Sequence, residues 1–166
     1  SGGLDFLRPV LLNFGSAIYE GYDYNARYDF YAFDTAMSAS VTWSQVDQIL
    51  EIPQEGPQDN ELGEMRRPKE SAQFSLSGIR GPFGLEYSGM YLGKQTLNYE
   101  AGTEIETVMA NFGPSAFTEE IIIHNLRGSY AGDGYSIFGG VNNLTDESPY
   151  ASELAYPVSP VGRYFY

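Results

Sequence analysis

From Ile18 to Phe30 the chain alternates without a break. Tyr22, Tyr24, Ala26, Tyr28 and Phe30 are apolar or aromatic, and the intervening Asp23, Asn25, Arg27 and Asp29 are polar or charged. A period of two puts these sets on opposite faces of an extended strand, which a helix of period 3.6 cannot do. The same period returns from Met37 to Ser44, with Met37, Ala39, Val41 and Trp43 set against Ser38, Ser40, Thr42 and Ser44, and it slips at Val46. It continues in Ala72, Phe74, Leu76 and Gly78 against Ser71, Gln73, Ser75 and Ser77, and less cleanly in Leu85, Tyr87, Gly89 and Tyr91, where Met90 and Leu92 fall on the polar side. Leu126, Gly128 and Tyr130 alternate with Asn125, Arg127 and Ser129. Asp133-Gly134, a type I′ hairpin signal, then leads into Tyr135, Ile137, Gly139 and Val141. A partial strand closes the chain at Gly162-Arg163-Tyr164-Phe165-Tyr166. The expectation is an all-β antiparallel meander of about seven strands.

Composition agrees and excludes several functions. The 14 Tyr, 10 Phe and 19 Gly suit strands and tight turns. A net charge of −13 leaves no basic stripe for a phosphate backbone, so nucleic acid is not an expected partner. With no Cys and His124 as the sole imidazole, thiolate and two-histidine metal sites cannot be built, and no metal or other cofactor is expected. No G-x-S-x-G element occurs, since Gly113-Pro114-Ser115-Ala116-Phe117 lacks its last glycine, and no catalytic residue is assigned. The chain also lacks the roughly 18 to 20 consecutive apolar residues of a spanning helix, whereas spanning strands of about 9 to 11 residues leave no hydropathy signal.

The connections sort by length. They are tight near 31–35, 81–84 and 132–134, and long and polar near 53–69, 101–118 and 145–160. Short turns at one end and long loops at the other are the habit of outer-membrane barrels. The serine- and threonine-lined second face then reads as the wall of a wet lumen, because a sandwich core would need an apolar stripe there.

Two stretches narrow the class to a family. Asn13-Phe14-Gly15-Ser16-Ala17 precedes Gly21-Tyr22-Asp23, and Gly140-Val141-Asn142-Asn143-Leu144-Thr145-Asp146-Glu147 precedes Gly162-Arg163-Tyr164-Phe165-Tyr166. Together they resemble the C-terminal barrel region of TonB-dependent outer-membrane receptors, over nearly the whole of residues 1–166. The resemblance implies the last part of a 22-stranded transmembrane barrel, with the plug and earlier strands outside this sequence and the final strand cut short. It implies active import of a scarce nutrient such as a ferric siderophore, cobalamin or an oligosaccharide. The implied partners are the rest of the barrel and its plug, TonB with its inner-membrane motor, the small-molecule ligand and outer-membrane lipid. In that frame Asp23, Asn25, Arg27, Asp29, Arg127 and Asn142 face the lumen or the plug, with Arg27 and Arg127 as partners for plug carboxylates. Arg66, Arg67, Tyr99, Phe112 and Phe117 lie on external loops that capture ligand.

Other readings attach to single features. His124 shares the face of Leu126 and Tyr130 and reads as a rim histidine beside an aromatic belt. Tyr22, Tyr24, Tyr28, Tyr87, Tyr91 and Tyr130 read as an interfacial girdle in preference to a sugar-stacking platform. The carboxylates Glu51, Glu55, Asp59, Glu61, Glu64 and Glu70 read as solvated loop charge, and Asn143-Leu144-Thr145 is a glycosylation sequon by spelling only. The rival architecture is a secreted aromatic-rich β-sandwich that binds carbohydrate. A self-contained barrel of about eight strands would need a strand over Leu4 to Asn13, which Pro9 and the adjacent Leu11 and Leu12 oppose.

Overall fold

A computed structural model of the protein describes residues 15–96, 103–147 and 164–165. It is an all-β structure built on one antiparallel sheet. The strands are β1 (Gly15–Ala32), β2 (Thr35–Pro53), β3 (Asp59–Asn60), β4 (Glu70–Arg80), β5 (Phe83–Leu92), β6 (Ile121–Gly132), β7 (Tyr135–Asn142) and β8 (Tyr164–Phe165). The order β1-β2-β4-β5-β6-β7-β8 is that of a meander, and the two-residue β3 pairs with β2 off this path. Among the described residues β1 and β8 are the two edges. Leu4 to Asn13, where the eight-stranded reading would need a further strand, and most of the connection 145–160 lie outside the described residues.

Cross-strand pairing turns the sequence alternation into two continuous faces. Tyr24, Trp43, Ala72, Tyr91 and Ile122 form one row. Ala26, Val41, Phe74, Gly89 and His124 form the next, and Tyr28, Ala39, Leu76, Tyr87, Leu126 and Val141 a third. The opposite face carries Arg27, Ser40, Ser75, Ser88 and Asn125 in one row and Asp29, Ser38, Ser77, Glu86 and Arg127 in another. Because the period is two, a slip of one residue anywhere would exchange these faces.

The slip at Val46 is accommodated rather than propagated. Strand β2 continues to Pro53, well beyond Ser44, by means of a bulge. Glu20 opposes Gln48 and Gly21 opposes Val46, so Asp47 has no partner across the ladder. Gly21 is needed at this point, since a Cβ there would lie 2.5 Å from the Gln45 carbonyl oxygen.

The tight turns fall where expected, with one correction. At Asp133-Gly134 the connection has two residues, but only Gly134 adopts a positive φ (83°), so it is not a type I′ turn. The glycine alone takes the left-handed conformation, and Asp133 stays where an L-residue is unstrained. The type I′ pattern occurs instead at Phe33 (φ 52°) and Asp34 (φ 55°), between paired Ala32 and Thr35. The connection 101–118 is also more ordered than its loop composition suggests. It holds a helix, α1 (Ile105–Phe112), followed by a 3-10 turn over Gly113–Ala116. Ile105, Val108 and Phe112 recur at helical spacing, and Val108 is buried against Ala116 with Met65, Ile105 and Phe117 around them.

Apolar burial is scant. Ala72, Val108, Ala116, Ile121 and Ile123 are the buried hydrophobic residues among those described, while Tyr28 (69%) and Leu85 (59%) on the apolar face stay exposed. That face packs laterally within its own plane. Trp43 stacks on Tyr91 at 5.7 Å across Ala72, and Phe74 leans over Gly89 toward Tyr87 and His124. A Cβ on Gly89 would fall 2.2 Å from the Phe74 ring and 2.9 Å from the Ile123 carbonyl oxygen.

Gly89→Ala is therefore expected to destabilise the fold by about 1–3 kcal/mol through overpacking, part of it restored by Phe74→Leu. Phe33→Gly should raise stability by about 1 kcal/mol by relieving the left-handed strain. Equilibrium urea unfolding of each variant checks both.

Candidate functional site: a polar sheet face and the loop layer at its end

The polar face begins on β1 and β2. The Ser44 hydroxyl donates to the Asp23 carboxylate at 2.5 Å and the Thr42 hydroxyl to the Asn25 amide oxygen at 2.8 Å. Ser40 and Ser75 share a hydrogen bond of 2.8 Å one strand further on. Arg27 is held by Asp29, two residues along its own strand and therefore on the same face, at 3.1 Å. Farther across, the Arg127 guanidinium lies 5.3 Å from the centre of the Phe138 ring, a cation–π contact. Asn142 follows Gly140 on this face and pairs with Tyr164 of β8. Asp23, Asn25, Arg27, Asp29, Arg127 and Asn142 thus lie on one surface, which the strand alternation alone brings together.

At the end of the sheet away from the tight turns, the polar rows become apolar. Leu92 opposes Ile121 and Met90 opposes Ile123, and both isoleucines are buried. Here the long connections knit to each other. Val46 N–H donates to the Lys69 carbonyl, Thr96 N–H to the Gly63 carbonyl and Thr118 N–H to the Gln95 carbonyl, each at 2.7 to 2.8 Å. The buried Gln95 also accepts the Arg66 backbone N–H at 2.6 Å, and the Thr118 hydroxyl accepts the Gln95 N–H at 2.9 Å. Arg67 forms an ion pair with the mostly buried Glu61 and lies 3.8 Å from Glu51. Glu61 and Glu64 are thus buried in this layer rather than being solvated loop charge. The reason is that the residues between β2 and β4 fold back on β2, as the Glu61 N–H to Ile49 carbonyl bond at 3.0 Å records.

The residues expected to capture ligand divide accordingly. Arg66 has φ 72° and is anchored through its backbone, Arg67 is tied into the layer, Phe112 is exposed on α1, and Phe117 packs at the base of that helix. Tyr99 lies outside the described residues. Gln95 and Thr118 organise the layer without having been singled out by sequence, because small polar residues in loops carry no periodic signal. Asn143 has one visible cue, its place in the Asn142-to-Glu147 element. Its side chain accepts the Glu147 N–H and donates to the Glu147 carbonyl, both at 2.8 Å, while its own N–H reaches the Asn125 side chain at 3.0 Å. That side chain is buried, with both its oxygen and its nitrogen hydrogen-bonded.

His124 lies on the apolar face, as its phase requires. Its Nδ1 and the Tyr87 hydroxyl are 2.7 Å apart with the rings stacked at 5.9 Å, so two polar groups satisfy each other on an otherwise apolar surface. Among the described residues no three His, Asp or Glu side chains converge to hold a metal ion. Among the described residues no helix is long and apolar enough to cross a membrane, which does not bear on strands. No protein-family model matches the chain, and no curated protein is significantly similar to it.

Arg67→Ala should lower stability by about 1–2 kcal/mol, because it strands a largely buried carboxylate while its own partial exposure limits the loss. Arg66→Ala should leave stability within about 0.5 kcal/mol. Thermal unfolding of the two variants separates the structural arginine from the one whose side chain is available to a ligand.

Proposed function

We propose that this chain is the C-terminal part of the barrel of a TonB-dependent outer-membrane receptor. Such a receptor imports a scarce nutrient, of the ferric siderophore, cobalamin or oligosaccharide class, with energy relayed by TonB. The observation that carries the reading is the pairing of an exposed, aromatic-rich sheet face with a hydrogen-bonded polar face along the same strands. In a soluble monomer an apolar face of this extent would be a liability, whereas a bilayer is a solvent for it. Strand length supports the same reading. Strands β4, β5 and β6 have 11, 10 and 12 residues, against the roughly 9 to 11 needed to span the hydrocarbon. The longer β1 and β2 would project beyond it.

In this reading Asp23, Asn25, Arg27, Asp29, Arg127 and Asn142 line the lumen or meet the plug. The layer built from Glu61, Arg66, Arg67, Gln95, Phe112 and Thr118 forms the outer vestibule. The edges at β1 and β8 are completed by the remaining strands of the barrel, since an unpaired backbone edge in lipid would cost several kcal/mol per group. The chemistry is transport, performed by binding and by movement of the plug.

The intact protein should require detergent for extraction and should incorporate into liposomes, and cells carrying it should accumulate the nutrient only when TonB is present. Leu76→Arg should cost about 2–4 kcal/mol in bilayer-embedded stability, while Ser75→Arg on the neighbouring lumenal position should be near neutral. A protein that stays folded and monodisperse in buffer without detergent would overturn the proposal in favour of the sandwich-type carbohydrate binder.

A further inference from the structure

The apolar face is uneven. Over most of its extent aromatic rings fill the rows, but toward the tight turns the row Met37, Gly78, Leu85 and Gly128 lacks bulk. The result is a groove of about 580 Å³, walled by Phe33, Met37, Leu76, Phe83 and Tyr87. A Cβ built on Gly128 would meet nothing within 4 Å, so this glycine opens space that no neighbouring side chain fills. At the turn end the groove meets two opposite charges. Arg80 Nη2 lies 3.7 Å from Asp34 Oδ2, and both side chains are largely exposed. An exposed pair at that separation contributes little to stability. It leaves most of the five guanidinium donors and one carboxylate oxygen open to other partners.

An apolar trough ending at an adjacent cation and anion is complementary to one class of molecule. We infer that the groove holds an acyl chain of a zwitterionic phospholipid carrying a primary ammonium, a phosphatidylethanolamine, with its phosphate on Arg80 and its ammonium on Asp34. The inference rests on the membrane reading above and places the tight-turn end at the headgroup level of one leaflet. A guanidinium takes a phosphate through parallel N–H donors. The Asp34 carboxylate favours an ammonium that can donate hydrogen bonds over a quaternary one that cannot. It disfavours a purely anionic headgroup by charge repulsion. The strained Phe33–Asp34 turn then has a use, since it directs the Asp34 carboxylate toward Arg80.

The test uses the intact protein in mild detergent, offered equimolar phosphatidylethanolamine, phosphatidylglycerol and phosphatidylcholine of identical chains and examined by native mass spectrometry. The expected result is retention of one phosphatidylethanolamine at least about fivefold over either competitor, roughly 1 kcal/mol. Gly128→Leu, whose side chain enters open space, should abolish retention of all three while the protein unfolds at an unchanged temperature. Asp34→Asn should erase the preference over phosphatidylglycerol, and Arg80→Gln should weaken phosphatidylethanolamine and phosphatidylglycerol alike. Equal retention of the three lipids by the wild type, or undiminished retention by Gly128→Leu, would overturn the groove while leaving the membrane reading intact. A wild type that stays in the aqueous phase without detergent would overturn the membrane reading and the groove with it.

Discussion

Everything in this structure depends on the register of one antiparallel sheet. Side chains alternate with period two, and five consecutive strand pairings keep tyrosines beside tryptophan, phenylalanine and leucine and keep aspartate and asparagine beside serine and threonine. An error of one residue in any pairing would place charges such as Asp23 and Arg27 among the aromatic rings. The bulge at Asp47 shows how narrowly this is maintained. The extra residue is absorbed locally, Gly21 yields the space, and Ile18, Leu50 and Ile52 resume on the apolar side beyond it.

A sheet with so little buried apolar surface cannot derive its order from a conventional core. Lateral packing takes that place, with rings bridging neighbouring strands and small residues making room for them. Trp43 and Tyr91 close over Ala72, and Phe74 covers Gly89. Tyr87 and His124 add a polar contact to this surface without exposing an unsatisfied group, because each satisfies the other. The apolar and the polar face are thereby separated by the thickness of one sheet.

The end carrying the long connections follows different physics. It has a small core around Val108 and Ala116, a mostly buried ion pair between Glu61 and Arg67, and a set of single-residue clamps at Gln95, Thr118 and Asn143. The polar face was legible from the chain because alternation is a local, repeated signal, and all six residues assigned to it lie there. The loop layer was not. Helix α1 is only 8 residues long, and its burial depends on Met65 from a distant segment as well as on Ala116 and Phe117 just beyond the helix. The ion pair joins residues on either side of a turn whose path no propensity specifies.

By itself the sequence determined the strand class, the two-faced character of the sheet, the positions of the tight turns and the sorting of short and long connections. These follow from nearest-neighbour chemistry, since period-two alternation and glycine-containing turns act within a few residues. Tertiary structure alone decided that the slip at Val46 becomes a bulge and that the left-handed turn belongs to Phe33 and Asp34. It also decided that Glu61 is buried against Arg67 and that a groove opens above Gly128. Each of these depends on what another strand or loop places opposite the residue, and burial and complementarity are properties of pairs brought together across space.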